Sequence, residues 1–263
     1  MNMLVKSITI YPIKGMKGTE VQSALTLERG FENDRRYMLI DKTNNFISQR
    51  SHPLLALIHP EIKNGHITIS YHEASFSFPL SQFTDVVIDA TLFENVVSGT
   101  HVSTEVDRYF SKLLDDEVRL IKMNGNNIRN KKLVKGPEST QVSFADGYPY
   151  LITGTASLDQ LNERLDQPVL MDRFRPNIVV KTEVPHEEDS WESINIGTAE
   201  MLVIKPCARC PVVTINQQTA EKSKDTLKAL ANYRKKDNKV FFGVNAVSLG
   251  GSRISVGDEV VAL

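Results

Sequence analysis

Most of the chain reads as short apolar-rich strands separated by polar turn residues. LVKSITIYPI (4–13), YMLID (37–41), LLALIH (54–59), HITISY (66–71) and FSFPL (76–80) each read as a strand, with Gly, Asn and Pro between them. Three segments carry the helical period instead. In STEVDRYFSKLLDD (103–116), Val106, Tyr109, Phe110, Leu113 and Leu114 recur at the spacing of one buried helix face. In TASLDQLNERL (155–165) the face is Leu158, Leu161 and Leu165, with Thr155 or Ser157 as the expected cap. In KSKDTLKALANYRKK (222–236) it is Leu227, Leu230 and Tyr233.

The polar, basic and turn-rich stretch MNGNNIRNKKLVKGPEST (123–140) divides the chain near its middle and is expected to be a long surface loop. The division predicts two domains: a β-rich N-terminal unit over 1–122 that closes with the first helix, and a second unit over 123–263. Strands do not alternate with helices, and no GxGxxG or Walker A loop is present, which argues against a βαβ nucleotide fold. The expected fold is mainly β with a few helices (α+β), a β-barrel-like second domain packed on a smaller β-rich first one.

Composition narrows the setting. A chain of 263 residues with 41% hydrophobic and 24% charged residues can bury a sizeable core. Its net charge of −1 gives no general attraction to nucleic acid. The N-terminal apolar stretch is too short and interrupted for a signal peptide, and no run is long enough to span a membrane. A cytoplasmic location is expected, where a lone disulfide would not persist. Two cysteines cannot build a four-thiolate zinc or iron–sulfur site.

Both cysteines lie in VIKPCARCPVVTI (203–215), three residues apart. Cys207 and Cys210 can be read as half-buried residues of a core strand, since free Cys packs as a small hydrophobe. Arg209 between them supports a second reading, because a guanidinium stabilises thiolate, the form that acts as nucleophile and soft-metal ligand. A thioredoxin-like dithiol opens a helix, whereas this pair is expected to run into the strand VVTI. Zinc would need further ligands from His or Asp.

Other candidates are scattered along the chain. YPIKGMKG (11–18) sets Lys14 and Lys17 in a Gly-rich turn where backbone and ammonium groups can approach an anion. Arg35 and Arg36 precede a strand, so their side chains are expected to point opposite ways. Arg175, directly before Pro176, is expected to be extended and to need a carboxylate or phosphate partner. Asp146 lies on a turn between apolar stretches, as a turn-former or a carboxylate near a metal. Trp191, the single tryptophan, is expected to be a packing anchor.

Taken in order, YPIKGMKG, GFENDRRYMLID, ISQRSHPLLALI, ADGYPYLITGTASLDQLNERL, FRPNIVV, DSWESINIG, KPCARCPVVTIN and FFGVNAVSLGGSRISVGDEV resemble the MOSC N-terminal β-barrel domain followed by the MOSC domain. Within that family the likeness is to molybdenum proteins that reduce N-hydroxylated compounds, the mitochondrial amidoxime reducing components and bacterial hydroxylaminopurine-resistance proteins. The resemblance implies a molybdenum cofactor with a phosphate-bearing pterin. It places the metal-ligating thiolate at Cys210 and leaves Cys207 without a ligand role. Lys14 falls on the phosphate-contacting lysine, and Gly15 stands where a relative has Ser, so only a backbone contact is implied there. Arg35, Arg175 and Asn177 fall on cofactor contacts, Asp146 on an aspartate close to the metal, and Asn245 on a pterin contact. Asp146 is then a candidate for catalysis beside Cys210, as proton relay or as holder of a metal-bound water; the alternative is a purely structural residue capping its own turn.

The implied activity is reduction of the N–O bond of hydroxylamines, amidoximes and N-hydroxylated purines, a detoxification of modified bases. Some bacterial relatives carry a C-terminal ferredoxin-like iron–sulfur domain, and this sequence has no cysteine set for one. A separate flavin or iron–sulfur reductase is therefore the expected electron donor, with no nucleic-acid or membrane partner. The basic stretch from Arg129 to Lys135 is either its docking site or a solvated loop. The alternative reading is a cofactor carrier or sulfur-transfer protein without turnover, as MOSC domains also form part of molybdenum cofactor sulfurases. A zinc-binding module built on the two cysteines is a third.

Overall fold

The computed structural model describes residues 2–123 and 129–263. Strands dominate, and there are three α-helices among the described residues. Seven strands form a barrel: β1 (Met3–Ile10), β2 (Tyr150–Gly154), β3 (Ile178–Lys181), β4 (Ser193–Ile196), β5 (Ala199–Ala208), β6 (Lys239–Ser248) and β7 (Glu259–Ala262). Their order is β2-β3-β1-β7-β4-β5-β6, and β6 pairs back onto β2 to close the ring. All pairs are antiparallel except β2 with β3. That parallel pair needs a crossover, which helix α2 (Thr155–Asn162) begins.

Period-two alternation fills the barrel. Tyr150 and Ile152, Ile178 and Val180, Ile194 and Ile196, Met201 and Val203, and Val244 and Ala246 point inward in a single buried cluster that includes Trp191, the anchor anticipated from sequence. The N-terminal strand β1 belongs to this ring, between β3 and β7. The rest of the N-terminal part builds a second core around a four-stranded sheet (Tyr37–Asp41, Val87–Leu92, Asn95–His101, Val118–Lys122) and a three-stranded one (His59–Lys63, His66–Tyr71, Ala74–Pro79). A helix, Thr104–Leu114, covers that core with fully buried Val106 and Phe110, while Tyr109, Leu113 and Leu114 pack at its edge. Ser103 caps it by accepting from the Val106 amide at 3.2 Å.

Four local expectations are corrected. LLALIH is not a strand: Pro53–Ala56 is a 3-10 turn that buries Leu55 and Ala56, and the strand starts only at His59. Its apolar run lacks alternation, and Pro53 favours a helical first turn. The stretch 123–140 is not one loop, because Arg129–Lys132 pairs with Ser139–Val142 as a hairpin; residues 124–128 of that stretch lie outside the described residues. Neither Thr155 nor Ser157 caps α2, whose N-cap is Gly154. Their hydroxyls instead donate to the Thr182 carbonyl at 3.3 Å and the buried Glu188 carboxylate at 2.8 Å. Finally, Pro211–Thr214 is a 3-10 turn, with proline in its first turn, rather than a continuing strand.

Candidate functional site

The chain leaves β1 through Tyr11 and Pro12 into a tight turn at Lys14–Gly15, held by the Lys14 amide donating to the Tyr37 carbonyl at 2.8 Å. Gly15 has φ +86°, and a Cβ there would come within 3.3 Å of Leu55 Cδ1. The left-handed backbone disfavours any side chain at this position, so an anion could meet only the main chain. The Lys14 ammonium is buried, lies 5.4 and 5.5 Å from the Phe46 and Phe93 ring centres, and donates to the Phe144 carbonyl at 2.8 Å and to the Asp146 carboxylate. Burial pushes the Lys14 pKa down, against the opposing pull of Asp146. The Asp146 carboxylate lies at the cleft mouth with 64% of its side chain exposed. Burial among the cleft walls works to raise its pKa, but the Lys14 ammonium, and then Arg35 and Arg175, outweigh it and hold the group at about 2.

Arg35 and Arg36 diverge, but through a left-handed turn residue ahead of the strand rather than by strand alternation. Arg35, at φ +51°, turns toward the cleft, while Arg36 donates to the Phe31 carbonyl at 3.3 Å. The Arg35 guanidinium meets Asp34 at 2.6 Å and the Asn177 side-chain oxygen at 3.1 Å. Asp34, which sequence reasoning passed over, is fully buried and also accepts from the Tyr11 amide at 2.9 Å and from Asn177 Nδ2 at 3.2 Å. One carboxylate thus orients both an arginine and an asparagine of the cleft. The only sequence signal for it was an acidic residue beside an arginine pair.

Arg175 is not extended: it ends the 3-10 turn Met171–Phe174 at φ +56°, ψ +47°. The following proline disfavours the right-handed helical region, and the left-handed one turns the side chain into the cleft. Its guanidinium lies 4.3 Å from the Tyr11 ring centre and 3.5 Å from Gln217 Oε1. Among the described residues no carboxylate pairs with it, and burial pushes its pKa down to about 10.

Both cysteines are half-buried and unbridged. Strand β5 carries two register irregularities, between Val203 and Lys205 and between Pro206 and Ala208, which re-aim the side chains at its end. Arg209 does not serve Cys210: it donates to Cys207 Sγ at 3.1 Å and to the Phe174 carbonyl at 2.7 Å, and its buried Nε has no partner among the described residues. Cys210 opens the 3-10 turn as its N-cap.

These segments converge on one cleft enclosing about 770 Å³, part of it open to solvent. Lys14, Gly15, Arg35, Asp146, Arg175, Asn177, Cys210 and Asn245 all line it, so the eight positions singled out from sequence meet in space. Gln49 also lines the cleft; neither it nor Gln217, its hydrogen-bond partner behind the wall, carried a sequence signal. The donor set fits an anionic, sulfur-rich metal cofactor. Four cations, Lys14, Arg35, Arg175 and Arg209, line the walls, Arg175 lacks a carboxylate partner, the Arg209 Nε is orphaned, and a free thiol stands at the opening of a turn. Among the described residues no group of three or more His, Cys, Asp or Glu side chains is placed to hold a metal ion by itself. The zinc-module reading therefore lacks a ligand set there.

A barrel of this kind carrying such a cleft is a MOSC protein: residues 2–117 match the MOSC N-terminal beta barrel domain and residues 139–261 the MOSC domain. More narrowly, the chain belongs to the family of the mitochondrial amidoxime reducing components. It is 31% identical over 248 residues to mitochondrial amidoxime reducing component 2 of Rattus norvegicus, covering 88% of this chain and 72% of that protein. It is 28% identical over 247 residues to mitochondrial amidoxime-reducing component 1 of Danio rerio, covering 90% of this chain and 76% of that protein. A molybdenum cofactor sulfurase of Drosophila mojavensis is 30% identical over 248 residues, and there the chain spans only 31% of the relative's length.

Proposed function

We propose that the protein is a molybdenum-cofactor-dependent reductase of N-hydroxylated compounds. The observation that carries this reading is the meeting of a free thiol, Cys210, with Arg175, a half-buried cation that pairs with no carboxylate among the described residues, in one cleft. Cys210 would hold the metal; Lys14, the Gly15 main chain, Arg35 and Arg175 would hold the phosphate, Arg by its fork and Lys as a point charge. Asn177 and Asn245 would meet the pterin. Once bound, the cofactor supplies the two-electron chemistry that, with two protons, converts an N–OH group to N–H and water.

The protein's own part is orientation, charge and protons. Asp146, held near pKa 2, is a carboxylate at neutral pH and so carries no proton to donate. The ammonium of Lys14 is its proton-bearing partner. Residues 1–122 and 123–263 are taken as two units meeting at the cleft, with β1 contributed to the barrel. Electrons would come from a separate flavin or iron–sulfur reductase, and the exposed Lys131, Lys132 and Lys135 of the hairpin suit an acidic partner. A cytoplasmic setting rests on composition; among the described residues no helix is long and apolar enough to cross a membrane.

The alternative, a carrier or sulfur-transfer protein without turnover, is favoured by the similarity to the sulfurases. Elemental analysis of protein made in a cofactor-producing host, with an amidoxime reduction assay using a chemical reductant, separates the two. Stoichiometric molybdenum with turnover supports the reductase, molybdenum without turnover supports the carrier, and zinc alone defeats both.

A further inference from the structure

Gln49 and Gln217 are 1% and 2% exposed and come from opposite halves of the chain. Gln49 Nε2 donates to Gln217 Oε1 at 3.0 Å, and Gln217 Nε2 donates to Gln49 Oε1 at 2.8 Å. The second proton of each amide goes to a main-chain carbonyl, Gly15 at 2.8 Å from Gln49 and Ile215 at 3.1 Å from Gln217. All four N–H bonds are used, and each oxygen accepts. Because the outer partners are carbonyls, which only accept, neither amide can be turned over without placing oxygen against oxygen. Gln217 Oε1 also lies 3.5 Å from Arg175 Nη1.

The pair therefore touches three parts of the cleft wall at once. On one side is the carbonyl of the Lys14–Gly15 turn. On the other is Ile215, the residue after the 3-10 turn that Cys210 opens. Arg175 leans on the pair from a third direction. Buried amides are costly unless fully bonded, and a fully bonded buried network specifies one arrangement of the elements it joins. Without the pair, these segments meet with no other hydrogen bond between the Gly15 carbonyl and the Cys210 side among those described.

We propose that Gln49 and Gln217 are a positioning pair that sets the Lys14–Gly15 turn and Arg175 at a defined separation from the Cys210 turn. This rests on the reading of the cleft as a site for an anionic cofactor ligated by Cys210. The span between its anion-holding end and its thiolate end must match the ligand; the pair bridges them from the Gly15 side, beside the Arg209–Phe174 carbonyl bond that ties the Cys210 turn to the segment of Arg175.

The test uses Gln49→Leu, Gln217→Leu and the double variant. Each single change leaves one buried amide facing an apolar group, so each lowers the unfolding midpoint. The double change removes both amides together, and stability recovers relative to the singles. A merely structural role predicts that function recovers with it. Positioning predicts that it does not: the double variant binds inorganic phosphate, measured calorimetrically on cofactor-free protein, about tenfold more weakly than wild type, the worth of one charge-assisted hydrogen bond. It also loses molybdenum faster during dialysis of the loaded protein. A double variant that equals wild type in both overturns the positioning role alone. A wild type that holds neither phosphate nor molybdenum overturns the cofactor reading and the pair's role with it. Should the double variant not fold, Gln49→Met, which keeps an unbranched chain of similar length, carries the same two readouts.

Discussion

Replacing Asp34 by asparagine changes one buried charge at constant volume. The carboxylate is fully buried beside an Arg35 side chain that is 13% exposed. It accepts from Arg35 at 2.6 Å, from the Tyr11 amide at 2.9 Å and from Asn177 at 3.2 Å. An asparagine oxygen can keep the two neutral donors, both of which bond Oδ1, but its NH2 then faces the Arg35 guanidinium, donor against donor. A charge-assisted hydrogen bond contributes about 1.5–3 kcal/mol, and stripping one partner from a buried ion pair costs about 3–5 kcal/mol. The expected loss is about 3 kcal/mol, where the two ranges meet. Urea unfolding followed by Trp191 emission measures it, since Trp191 is 6% exposed in the barrel core and Asn177 ties Asp34 to β1 through the Thr9 carbonyl. With a slope of about 3 kcal/mol per molar urea, the midpoint falls by about 1 M. Asp116→Asn, which removes an exposed partner of His52, serves as the control and should barely shift it. A drop for Asp34→Asn no larger than the control's would refute the argument that this carboxylate holds the arginine in place.

Cys210→Ala is expected to abolish molybdenum retention and turnover while Cys207→Ala keeps the metal; equal behaviour in elemental analysis would remove the division of roles between the thiols. In Lys14→Ala the Asp146 carboxyl should titrate well above its present pKa of about 2, because its principal charge partner is gone; carbon NMR of the carboxyl reads this, and an unmoved titration would shift the cause to Arg35 and Arg175. His186 has both ring nitrogens buried without partners among the described residues, and burial, with Arg234 adding to it, holds its pKa at about 4. That value lies below the ordinary histidine value of about 6.5, so protonation favours the unfolded chain. Stability from this residue is complete above about pH 6.5 and declines as the pH falls toward 4. His186→Phe should flatten that limb of the stability profile, and an unchanged limb would assign it to other groups.

Much of the fold was legible locally. The face of Val106, Tyr109, Phe110, Leu113 and Leu114 became the packed side of a helix, and the strand HITISY falls where alternation put it. Such patterns are readable because a helix or strand imposes its own period on burial. The same reasoning failed where burial had no period. The five residues LLALI are apolar throughout, and PVVT is short enough for its leading proline to decide its form.

For the cleft, the sequence alone determined which chemical groups the chain owns: two thiols, an arginine before a proline, a glycine after a lysine. Motif order, through resemblance, supplied which of them belong together. Tertiary structure decided what each group faces. Arg209 bonds Cys207 rather than Cys210, Lys14 is engaged by Asp146, and Arg175 pairs with no carboxylate among the described residues. Asp34 acts on Asn177, and Gln49 on Gln217, across 143 and 168 positions of chain. A hydrogen bond is satisfied by atoms within about 3 Å, and no neighbour along the chain records which distant residue folding will bring there.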